Sequence, residues 1–107
     1  MSTSNLRADL EVASVARVGS LLELLHVGLG DARVCIQELH VACRDRDSAR
    51  MASLVRRLQK AWTRGMTVIL VIEQITERPN QEARNLLHQS EMDAAPLLAH
   101  AAIKEAI

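Results

Sequence analysis

Phenylalanine and tyrosine are absent from this 107-residue chain, and Trp62 is its sole aromatic residue. A core without such rings must be filled by Leu, Val, Ile, Ala and Met, which suits helix packed on helix. The same lack removes the platforms on which single-stranded bases stack. Two prolines and four glycines leave few turn signals. An all-β domain needs a turn roughly every 8–12 residues, so that class is excluded.

Cysteine is scarce as well. Cys35 and Cys43 sit eight residues apart in what reads as one helix. At about 1.5 Å of rise per residue they are roughly 12 Å apart, beyond disulfide reach. Two free thiols suit a reducing compartment. The opening Met1-Ser2-Thr3-Ser4-Asn5 lacks the basic and apolar regions of a secretory signal. The longest apolar run, Val68–Ile72, is far short of the roughly 20 residues that span a bilayer. A cytoplasmic protein without a membrane partner is the expectation.

What is present fits a single helical domain over residues 1–107. Hydrophobic residues make up 49% and charged ones 24%, too apolar for a disordered chain. The net charge is zero but unevenly spread. Residues 44–64 hold seven Lys/Arg against Asp45 and Asp47, while the flanking segments are acidic.

Hydrophobic spacing predicts the elements. A first helix runs from about Ser4 to Val27, with Ser4 as its cap and Asp9 and Glu11 in its early turns. Val15, Val18, Leu22, Leu25 and Leu29 form its seam, and Gly28-Leu29-Gly30 is read as its stop. Asp31 opens a second helix over 31–44, carrying Cys35, Ile36, Leu39 and Cys43. Extending that seam would bury Arg46 and Arg50, so a break is placed at 44–47 with Asp47 or Ser48 as the next cap. The third helix, 48–77, holds Met51, Val55, Leu58, Trp62, Gly65, Ile69 and Ile72 in strict 4-3 spacing. Arg78-Pro79-Asn80 ends it. A fourth helix follows from Asn80, and Pro96 is read as opening a separate or kinked last one. The fold expected is all-α: an antiparallel four- to five-helix bundle with a long central helix.

The second half of the third helix is apolar over roughly 260° of its circumference. Three shorter helices cannot shelter all of it, so association is expected, with a symmetric homodimer or a helical protein partner. Trp62, Met66, Ile69, Leu70, Val71 and Ile75 are the candidate contact residues. Gly65 is read as admitting a partner's backbone or an indole.

A basic stripe is the main polar feature. Arg50, Arg57 and Arg64 recur every seven residues, flanked by Arg56 and Lys60. Arginine forks suit phosphates and carboxylates, so these five are candidates for binding an anion or an acidic partner. Nucleic acid is disfavoured by the zero net charge and by a poor helix-turn-helix around 26–40. Balance by acids on neighbouring helices is the simpler reading.

Other constellations are weaker. Glu23-Leu24-Leu25-His26 has the Glu-x-x-His spacing of carboxylate di-metal bundles, and Glu73 lies in the apolar arc of the third helix. A lone pair of this kind arises readily by chance, and a helix-end histidine with an ion-paired glutamate accounts for it. Cys35, His40 and Cys43 lack the paired spacing of structural zinc. His88-Gln89-Ser90-Glu91 spreads its groups over different helix faces, and no strained Gly-x-Ser-x-Gly turn or glycine-rich phosphate loop occurs. No catalytic residue, metal ligand or cofactor site is assigned. The expectation is a non-enzymatic interaction protein such as an adaptor, chaperone-like subunit or regulator. A nucleic-acid-binding regulator is the rival, and a di-metal bundle the remote alternative.

Overall fold

The computed structural model describes the backbone of residues 3–106 and the side chains of 13–102. It is all helical: α1 spans Thr3–Arg44, α2 Ser48–Thr76 and α3 Gln81–Ala106. No strand occurs among the described residues. The described residues form three helices rather than four or five, because two expected breaks are absent.

The first missing break is at Gly28-Leu29-Gly30, which α1 crosses without interruption. No glycine takes positive φ. Helical glycine costs roughly 1 kcal/mol against alanine. Around these two, Leu25 and Ala32 are fully buried and Leu29 is half-buried. Burying one large aliphatic side chain gains about 1.5–3 kcal/mol, so packing outweighs the local preference. The second is at Pro96, which lies inside α3 with an exposed side chain. The capping roles read for Ser4, Asp9 and Glu11 concern side chains outside the described ones.

The remaining boundaries follow local chemistry. Asp47 caps α2, its carboxylate accepting from the Arg50 amide at 3.1 Å. The preceding turn needs Arg46 in the left-handed region at φ 57°. At the other end of α2, Glu77 takes φ 58° and its amide returns to the Glu73 carbonyl. Asn80 then caps α3, its side-chain oxygen accepting from the Ala83 amide at 3.1 Å.

Successive helices run antiparallel. Near the first turn the Cys43 thiol donates to the Met51 sulfur at 3.5 Å, and further along Leu25 meets Gly65. That register sets the end of α2 level with residues 15–18 of α1. With 42 residues against 29, α1 outruns α2 by about 20 Å. The molecule is a rod of 69 × 18 × 16 Å.

Two aliphatic clusters form the core. One holds Leu39, Met51, Leu54 and Leu58 near the first turn, with small Ala32, Ala42, Ala94 and Ala101 letting the helices close. The other holds Leu25, Ile69, Ala83 and Leu87. Trp62 packs against both.

Candidate interaction face

The apolar circumference of α2 divides between core and surface. Ile69 and Ile72 are wholly buried within the chain. Trp62, Met66, Val71 and Ile75 are half-buried, and Leu70 is 51% exposed. Trp62 is held from within, its indole Nε1 donating to Ser90 Oγ at 3.0 Å. Ser90 is thereby part of the packing of α3 on α2. Gly65 is also filled from within: a Cβ there would meet methyls of Leu25 and Leu87, each at 3.5 Å. Side chains of α1 and α3 stand where a partner's backbone or an indole was expected.

The larger uncovered apolar surface lies on α1. Leu24, Val27 and Val34 are 60%, 64% and 50% exposed. A groove of about 220 Å³ runs beside the first two, bounded by Gly28 and Asp31 on α1 and by Ala61, Arg64 and Val68 on α2. Among the described residues, none of α3 lines it. It therefore belongs to the side of the α1–α2 pair that α3 leaves open. Seven-residue steps keep a helix face. They carry the face from Val27 to Val34 on α1, and from Arg64 to Val71 and Val68 to Ile75 on α2. The sequence reading missed the α1 half. The signal was available in the spacing Val27, Val34, Val41 beside the buried row Leu25, Ala32, Leu39.

The basic stripe also divides. Arg50, Arg57 and Arg64 run along the edge of α2 next to α1, which carries Asp31 and Glu38 with the same seven-residue step. Arg57 Nη1 stands 3.6 Å from Glu38 Oε2, and Arg64 borders the same groove as Asp31. Arg56 and Lys60 turn to the outer side of α2, where with Gln59, Thr63 and Arg64 they line a shallow depression.

Glu73 has a structural task. Its carboxylate receives the Arg84 guanidinium through both oxygens and the Asn80 amide at 2.8 Å. The Arg84 bonds, then the Asn80 bond, hold its pKa down at about 2 against an ordinary 4.5. Glu23 and His26 stand exposed on α1. Among the described residues no three His, Cys, Asp or Glu side chains converge as a metal site would require. Cys35 and Cys43 are free and buried. Burial pushes the Cys35 thiol pKa up, against the opposing charge of Arg57. His40 and His100 border an open depression with Arg44 and Arg46 at the first-turn end of the rod. Among the described residues no helix is long and apolar enough to cross a membrane.

Fold and face together define a three-helix rod with one two-helix side left uncovered. Compared with known protein families, with curated proteins and with solved structures, the chain matches none.

Proposed function

We propose that this chain is a non-enzymatic protein-interaction module, an adaptor, chaperone-like subunit or regulator, that works through the open α1–α2 face. The observation that carries the reading is the exposed row Leu24, Val27 and Val34, whose first two members line a groove to which, among the described residues, α3 contributes nothing. Each large aliphatic group left wet forgoes about 1.5–3 kcal/mol, so a row of them favours a covering surface. Scale supports the same view. The accessible surface is 7779 Å² at 11.8 kDa, against roughly 5,900 Å² for a compact monomer of that mass.

The test is recovery of the native partner with wild-type chain, Val27→Lys and Met92→Lys. Both substituted positions are exposed, but Met92 lies on α3, away from the groove. The partner should be lost with Val27→Lys and kept with Met92→Lys. Equal recovery with both variants would refute the face.

A nucleic-acid regulator has one observation in its favour. Among the described residues, no carboxylate pairs within 4.0 Å with the charged side-chain group of Arg50, Arg56, Lys60 or Arg64. Phosphate-driven binding weakens steeply with salt, so gel mobility across a salt series separates the two readings. No retardation of any duplex at low salt would dispose of this one.

A further inference from the structure

The open face carries two colours of charge. Along α1 it is acidic, through Asp31 and Glu38; along α2 it is basic, through Arg57 and Arg64. An acidic partner helix would complement the α2 half and be repelled by the α1 half, and a basic one the reverse. A surface matching both presents an acidic strip beside a basic one, at the same spacing and level. The α1–α2 pair of another copy has that form.

We infer that a second copy of this chain occupies the open face, related by a two-fold axis parallel to the helices. This rests on the interaction reading above and names its partner. In that arrangement α1 of each copy packs on α2 of the other. All four neighbours around the axis are antiparallel, and they close a square four-helix layer with the α3 helices outside. Val27 and Val34 enter the middle with Val68 and Val71 opposite. Asp31 and Glu38 of each copy meet Arg64 and Arg57 of the other, since these pairs share a level along the rod within one chain.

The dimensions suit a stable pair. The face is about 44 Å long, from the 29 residues of α2, and at most as wide as the 18 Å cross-section of the rod, so its footprint reaches at most about 800 Å². Stable interfaces bury about that much per partner. The groove at Gly28, where a Cβ would meet nothing within 4 Å, leaves room for an incoming side chain.

Charge reversal tests the assignment. Sedimentation velocity of the whole chain across a concentration series should give twice the 11.8 kDa chain mass. Asp31→Arg/Glu38→Arg makes both halves of the face basic, and Arg57→Glu/Arg64→Glu makes both acidic. Each variant alone should sediment as a single chain with its helical circular dichroism retained. An equimolar mixture should regain the doubled mass, because each half then meets its opposite. Val27→Lys should abolish the doubling and Met92→Lys should leave it. A wild-type chain that stays single at about 100 µM, well above ordinary dimer dissociation constants, overturns the inference. So does a doubled mass that Val27→Lys leaves intact, or a mixture that stays single, or a larger open series. If the chain is single yet loses a different native partner through Val27→Lys, self-association fails while the interaction reading stands.

Discussion

Glu73 shows how one carboxylate can fix a turn. It accepts from the Asn80 amide at 2.8 Å and holds Arg84 eleven residues on, while Asn80 caps the helix that carries Arg84. Loop, cap and first turn of α3 are tied to the end of α2 through that one group. Its pKa is depressed to about 2 from 4.5, so the stabilisation is fully present above about pH 4.5 and is lost as pH falls toward 2. Thermal unfolding followed between pH 6 and pH 2 should show wild-type stability falling through that window. Glu73→Gln should be less stable at pH 6 and lose less on acidification. Parallel curves for the two proteins would mean that other carboxylates govern the acid limb. The sequence alone marks Glu73 as a charged residue in an apolar arc, and its partner follows only from how the chain turns at 77–80. Trp62 is similar: periodicity places it at the core, but its bond to Ser90 depends on the level at which α3 returns.

At the scale of elements, the caps at Asp47 and Asn80 were legible, whereas the cap read at Asp31 and the breaks read from glycine and proline preference gave way to packing. Asp47 and Asn80 mark helix starts because each supplies an oxygen to an orphan amide, and both do so here. Gly28 and Gly30 looked like a stop because glycine often ends helices, yet they have only a modest propensity cost to set against burial on both sides. Pro96 looked like a start, but its ring faces solvent within α3. If α1 is held straight by packing alone, its outward glycine serves no conformational need. A Cβ on Gly30 would meet nothing within 4 Å, and its φ is not positive. Gly30→Ala should therefore stabilise the chain by about 0.5–1 kcal/mol, read as a higher urea midpoint with an unchanged slope. A lower midpoint would show that α1 needs glycine's freedom there.

The whole molecule is governed by its shape. Its radius of gyration is 18.5 Å, where a compact chain of this length has about 13 Å. So slender a rod has no room for a single round core, which is why its apolar side chains form two clusters along the axis. Whether two clusters make one folding unit depends on what joins them. Trp62 packs against both, and all three helices contribute to each, so the ends should unfold together. Leu58→Ala removes a fully buried side chain from the first cluster and Leu87→Ala one from the second. Each should cost about 2–5 kcal/mol, a large share of the 5–15 kcal/mol that holds a small domain folded. In both variants, Trp62 fluorescence and far-ultraviolet circular dichroism should trace one coincident urea transition, at a midpoint lower than wild type. All three proteins must be compared at one chain concentration, because self-association raises apparent stability by mass action. If the clusters were independent, dichroism in Leu87→Ala would fall in two steps, with residual helix from the undamaged end outlasting the first. The single tryptophan would then follow whichever cluster holds it more firmly.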